Sequence, residues 1–134
     1  MDSEPTLPPA IIFSDSAIRD QATGKLTLAG VFQRFKASCI PFTSPAFFAT
    51  VFVTNIRGKI ESLPVTMTIE NPSGEVISTA TGHVSAASQV GRNDVADIAF
   101  PLPPTDFKTA GQYRAVVIID GERLGNRVFN VMLA

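Results

Sequence analysis

No stretch of this 134-residue chain repeats its apolar residues at helical spacing. Val, Ile, Thr and Phe gather instead in short runs, alternating in twos and broken by proline or glycine, which is a strand pattern. Such a chain buries itself by packing sheets face to face or by closing one into a barrel.

The first run, Ala10 to Arg19, leads through "DQATGK" into "LTLAGVFQRF", residues 26 to 35, and the two are expected to pair as a hairpin. Gly24 supplies positive φ in the turn, and Gly30 marks a bulge or a close backbone approach. In "CIPFTSP" the apolar Ile40 and Phe42 are expected to tuck under a sheet edge. "AFFATVFVT", residues 46 to 54, and "YRAVVIID", residues 113 to 120, are apolar on both faces and read as central strands. "PVTMTIE" alternates Val65, Met67 and Ile69 with Thr66, Thr68 and Glu70, one face buried and one wet. "NPSGE" then closes it as a type I turn onto "VISTATGHVS". In "VADIAFPL" the core face is Ala96, Ile98, Phe100 and Leu102, and Asp120-Gly121 forms a tight turn of the primed type. The expectation is a single all-β domain over residues 10–134, an antiparallel β-sandwich of seven or eight strands, immunoglobulin-like in the broad sense. Residues 1–9 are read as an extended lead-in.

Charged residues make up 17% of the chain and apolar ones 45%, against about 25% charged in typical soluble domains. Either Thr, Ser, Asn and Gln supply the surface, or another chain covers part of it. A net charge of −1 without a basic stripe removes the main electrostatic term of nucleic-acid binding and of polybasic membrane attachment. The single cysteine, Cys39, has no partner for a disulfide, which fits a reducing, cytoplasmic setting.

Chemistry is sparse. His83 is the only histidine, with no second ligand at metal-site spacing, and is read as a strand residue. Cys39 is read as a small buried hydrophobe, leaving a Cys39–His83 hydrolase as a remote alternative. Aspartates scatter over loops and strand ends, and only "NDVAD" holds two close together. No glycine-rich phosphate loop, metal site or cofactor signature is present, so no cofactor is assigned. Two groups stand out. Arg114, Arg123 and Arg127 fall on the last hairpin and form the candidate partner surface, because arginine gives planar, multi-donor contacts at interfaces. Arg92, Asn93 and Asp94 form the candidate ligand loop, on the premise that loops 86–94, 103–111 and 121–127 gather at one end.

"AGQYRAVVIIDG" resembles the Gly-x-Tyr entry of a late strand in immunoglobulin-like sandwiches, which implies a Tyr113 hydroxyl bonded back to the preceding corner. Ala115 stands where an antibody domain carries cysteine, and there is no tryptophan, so the likeness is to the architecture. Across nearly the whole chain, "IIFSDSAIRDQATGKLTLAGVFQRF", "TIENPSGEVI" and "AGQYRAVVIIDGERLGNRVFNV" are similar to a family of small bacterial proteins catalogued as a domain of unknown function. That resemblance implies a β-sandwich and supplies no functional residues. The expected role is a non-catalytic protein-binding or assembly module, a protein partner or homo-oligomer acting through a strand edge or a charge-poor face. The alternative is a sandwich holding calcium or a small polar ligand in its end loops.

Overall fold

The computed structural model describes residues 6–54, 63–84 and 96–134. Among them are eleven strands: β1 (Thr6–Arg19), β2 (Leu26–Phe32), β3 (Phe35–Ala37), β4 (Phe42–Thr43), β5 (Phe47–Thr54), β6 (Leu63–Glu70), β7 (Val76–Val84), β8 (Ala96–Leu102), β9 (Asp106–Phe107), β10 (Gly111–Ile119) and β11 (Glu122–Leu133). They form a four-stranded sheet in the order β2-β1-β5-β8, a five-stranded sheet in the order β3-β11-β10-β6-β7, and a two-stranded ribbon β4-β9.

The strand count and the all-antiparallel expectation both need correction. The extra strands are the short β3, β4 and β9, formed where the "CIPFTSP" crossover and the "PPTDF" corner touch. The pairing of β3 with β11, from Val131↔Phe35 to Leu133↔Ala37, is parallel. After Phe32 the chain leaves one sheet and joins the other without reversing, so its direction there is inherited. The five-stranded sheet is therefore mixed, and it curls as a half-barrel.

The turns follow their residues. Gly74 N–H donates to the Asn71 carbonyl at 2.9 Å and closes β6 onto β7. Asp120 and Gly121 have φ of 52° and 84°, the paired positive values of a primed turn between β10 and β11. At the β1–β2 turn, Asp20 Oδ1 accepts the Ala22 and Thr23 N–H groups at 2.7 and 3.1 Å.

One core joins the two large sheets. Phe13 and Val51 from the four-stranded sheet and Met67, Ile69, Ala115 and Val117 from the five-stranded sheet are fully buried. At one end Phe13, Phe32, Phe35, Phe42, Phe47, Phe107, Tyr113 and Phe129 form a continuous aromatic cluster, with contacting centroids from 4.9 to 6.3 Å apart. Each edge-to-face or offset pair adds about 0.5–1.5 kcal/mol beyond the area it buries. Phe42 and the half-buried Ile40 pack under this cluster as expected. The Tyr113 hydroxyl donates to the Thr109 carbonyl at 2.7 Å, fixing the corner that enters β10.

Candidate functional site

The last hairpin does not present its three arginines together. Tyr113, Ala115 and Val117 face the core, so Arg114 points outward beside Val128 on β11 and Glu70 on β6. The register of β10 against β11 shifts by one residue between Val117 and Ile118. Such a bulge exchanges the two faces of a strand. Arg123, opposite Ile118, therefore lies on the outer face, while Arg127, opposite Ala115, lies on the inner one.

Their contacts differ accordingly. Arg123 Nη1 donates to Glu70 Oε2 at 2.9 Å, joining β11 to β6 across the intervening β10. Arg127 Nη1 donates to the Ile11 carbonyl at 2.7 Å, its Nη2 donates to Gln33 Oε1, and its guanidinium carbon stands 4.8 Å from the Phe13 ring centroid. Burial disfavours its charge and lowers its pKa from the ordinary arginine value. Arg127 is thus a tie between the two large sheets, and Arg114 with Arg123 remain on the solvent face.

A second region emerges at the β1–β2 hairpin. Ala10 pairs with Phe52 and Phe52 with Asp97, so Asp97 stands level with Ala10. In a flat sheet Arg19 would stand about 30 Å beyond that level. Yet Arg19 Nη2 is ion-paired with Asp97 Oδ1. The hairpin must therefore turn back across the outer side of β5 to reach β8.

The bend falls at Asp15 and Gly30, which face each other between the Ser14↔Val31 and Ser16↔Ala29 pairs. Ser14 Oγ donates to the Ser16 carbonyl at 3.0 Å, a reach that a fully extended strand does not give. Gly30 has φ of 71°, and a Cβ there would stand 2.8 Å from Asp15 Cγ. The close approach read from the sequence is a carboxylate occupying a side chain's place.

Beneath this arm, residues 16–29, the outward side of the four-stranded sheet is dry. Thr50 and Ser14 are fully buried there, and Ile12, Phe48, Phe52 and Ala99 are half-buried. Ala17, Leu26 and Leu28, on the same side of the arm as Arg19, are half-buried as well. The arm's other side is open: Ile18 is 60% exposed, and Thr27 and Ala29 are exposed; at the arm's base Val31, paired with the buried Ser14, is 52% exposed at the sheet edge. The expectation of a strand edge or a charge-poor face did not locate this surface, because alternation does not say which strand ends at an edge. The absence of charge and proline in "LTLAGVF" was the available signal.

The remaining candidates are dispersed. Arg92, Asn93 and Asp94 lie outside the described residues. Loop 103–111 enters β10 at Gly111, whereas the Asp120-Gly121 turn leaves it at Ile119, so these two loops sit at opposite ends of a strand about 30 Å long instead of gathering. Loop 103–111 instead meets the β6–β7 turn, and an open groove of about 600 Å³ between them is lined by Asn71, Glu75, Asp106, Lys108 and Thr109 among others. Cys39 is exposed, a correction to the buried reading: it falls in the bend after β3, where Ile40 takes the buried place. Its neighbour β3 and the β7 strand carrying His83 are the two opposite edges of the five-stranded sheet, which gives no dyad geometry. Among the described residues no three His, Cys, Asp or Glu side chains are placed to hold a metal.

The fold and its surfaces define an all-β domain with a hairpin arm laid over one sheet. The chain belongs to the family of unknown function DUF6941, which it matches over residues 9–132. No curated protein matches it.

Proposed function

We propose that this protein is a non-catalytic protein-binding or assembly module that works in the cytoplasm on a broadly immunoglobulin-like sandwich scaffold. The observation that carries the reading is the β1–β2 hairpin, where Ile18 on the arm and Val31 at its base, 60% and 52% exposed, border an edge strand without charge or proline. Exposed apolar side chains at a sheet edge are a place where other chains add. The Tyr113 corner and the shared core of two sheets support the sandwich scaffold, and an exposed free thiol suits a reducing compartment. The test is light-scattering mass of the purified protein, alone and after incubation with source lysate, for wild type and for Ile18→Lys. Oligomer or bound protein is expected for wild type and loss of it for the variant; a bare monomer in both overturns the reading.

A small polar ligand or calcium is the second reading, and the groove between the β6–β7 turn and the β9–β10 corner favours it. Glu75, Asp106 and Lys108 are among its lining residues, a mixed-charge set suited to a small polar molecule. A ligand present at 100 times its dissociation constant adds about 2.7 kcal/mol to stability. Thermal melting against calcium and a metabolite panel would register that shift, and unchanged melting throughout would remove this reading.

A further inference from the structure

We infer that the β1–β2 arm is a hinged strap: residues 16–29 swing as one body about the bend at Asp15 and Gly30, held shut by the Arg19–Asp97 pair, and lifting the strap uncovers the dry outer side of the four-stranded sheet. The inference does not rest on the assembly reading, and a protein that captures no partner leaves it standing.

The bend is a break between ladders. Pairing of β1 with β5 ends at Ser14↔Phe48, and pairing of β1 with β2 skips the step between Ser14↔Val31 and Ser16↔Ala29. No strand pairing therefore spans Asp15 and Gly30, and Gly30 has a φ of 71°, which glycine adopts without the cost a side chain adds.

Beyond the bend the arm is held to itself. Four register pairs run from Ser16↔Ala29 to Arg19↔Leu26. At the tip Asp20 N–H donates to the Lys25 carbonyl at 2.9 Å, Gly24 N–H to the Asp20 carbonyl at 2.8 Å, and Arg19 Nη1 to the Gly24 carbonyl at 2.8 Å. A hairpin tied in this way moves whole, as supersecondary units do when they open short of global unfolding.

Its hold on the sheet is slighter. Ala17, Leu26 and Leu28 on the arm, and Ile12, Phe48, Phe52 and Ala99 beneath it, are each only half-buried. Among the described residues, the side-chain tie from the arm to β8 is Arg19 Nη2 to Asp97 Oδ1, a partly exposed pair that salt screens. Closure also seals in Thr50 Oγ1, fully buried and without a hydrogen-bond partner, which water satisfies once the strap lifts. A latch in solvent and an orphan hydroxyl beneath it both narrow the gap between the closed and open states.

Thiol labelling of the full chain, with Cys39→Ser removing the exposed native thiol, tests this. Thr50→Cys and Ser14→Cys place reporters beneath the strap, and Val51→Cys places one in the core, all three at fully buried positions. The first two should label faster than Val51→Cys by about tenfold or more. Their rates should be nearly flat in urea below the unfolding transition, because lifting a strap exposes little surface, whereas Val51→Cys should follow global unfolding. Arg19→Asp should speed labelling of Thr50→Cys by about fivefold, and adding Asp97→Arg should reverse it. Equal, urea-steep rates at Thr50→Cys and Val51→Cys would mean that the arm leaves only with the whole fold, and labelling of Thr50→Cys at the rate of a free thiol would mean that it covers nothing. Either result overturns the inference, as does a rate indifferent to Arg19→Asp.

Discussion

The outer sides of the two large sheets solve the same problem in opposite ways. On the five-stranded sheet the outward positions Thr79, Thr81, Gln112, Arg114, Arg123, Asn126 and Asn130 are exposed polar residues around a buried centre of Thr68, Glu70 and Val116. On the four-stranded sheet they include Ile12, Phe48, Phe52 and Ala99, and the chain's own hairpin covers them. Covering a dry face with a ribbon that is apolar on both sides moves the problem outward to Ile18. The difference teaches that apolar excess in this chain is relayed from layer to layer, and that the last layer is an edge.

The hinge of the arm is where the comparison breaks most easily. Any side chain at residue 30 must adopt positive φ and displace the Asp15 carboxylate. Strain of this kind costs about 1–3 kcal/mol before the steric term is added. Gly30→Val is expected to lose about 3 kcal/mol or more in urea unfolding, and Gly30→Ala somewhat less. Adding Asp15→Ala to Gly30→Ala should return the steric share and leave the backbone share. Equal stability of the single and double variants would show that the carboxylate does not fill that space.

The two ion pairs sharpen the contrast next. Arg19 and Asp97, which latch the arm, have side chains 45% and 29% exposed. Arg19→Ala should cost about 0.5 kcal/mol, since exposed pairs contribute little. Arg123 meets Glu70, whose side chain is only 11% exposed. Arg123 itself is 55% exposed, so Arg123→Ala, which leaves the nearly buried carboxylate to water at its open side, should cost about 1 kcal/mol after that screening. Glu70→Gln in the same chain should recover part of it. Protease nicking between Arg19 and Lys25 should rise in Arg19→Ala and stay unchanged in Arg123→Ala, whatever the stabilities.

Much of this fold was legible and the function-bearing part was not, for physical reasons. Period-two alternation located Val65, Met67, Ile69, Phe100 and Leu102 in the core, because one buried face per strand is all that alternation needs to report; Thr68 and Glu70, read as wet, are buried as well because β6 lies inside the sheet. Turn chemistry located Asn71–Gly74 and Asp120-Gly121, because positive φ demands particular residues. The arginines failed because a single bulge at Leu124, a property of pairing and not of local sequence, sent Arg127 inward. Gly30 was read as a bulge or a close backbone approach; what comes close is the Asp15 side chain, and the arm that swings from it depends on which strands are neighbours. The same lack of three-dimensional order led to Cys39 being read as buried from its apolar neighbour.

Among the described residues, each outer side holds one orphan hydroxyl. Thr50 Oγ1 beneath the arm and Thr68 Oγ1 on the five-stranded sheet are buried without a hydrogen-bond partner. A buried hydroxyl left unpaired costs about 1–3 kcal/mol relative to one that is satisfied. Thr50→Val and Thr68→Val, which keep the branched shape, should each raise stability by about 1 kcal/mol in the same unfolding assay. A destabilised Thr50→Val would mean that water reaches the β5 surface and that the arm does not seal it.

The smallest effect is expected at the tip of the arm, and its sign is fixed by hydrogen bonding. The Asp20 carboxylate accepts backbone N–H groups from Thr23 and Ala22, in that order of influence, and they hold its pKa below the ordinary aspartate value. Its folded pKa is therefore lower than its unfolded one, so its contribution is complete above the unfolded value of about 3.9 and is lost as pH falls through the folded value. Between about pH 5 and pH 2 the Ala22 and Thr23 amide resonances should move together with a midpoint below that of a free aspartate. Asp20→Asn keeps an acceptor at the same place but has nothing to protonate, so those amides should stay still over the same range while the wet face of the five-stranded sheet behaves identically in both proteins. A midpoint at or above the free value would mean that the turn does not hold the carboxylate, and with it would go the account of how the arm's tip is fixed before Arg19 reaches Asp97.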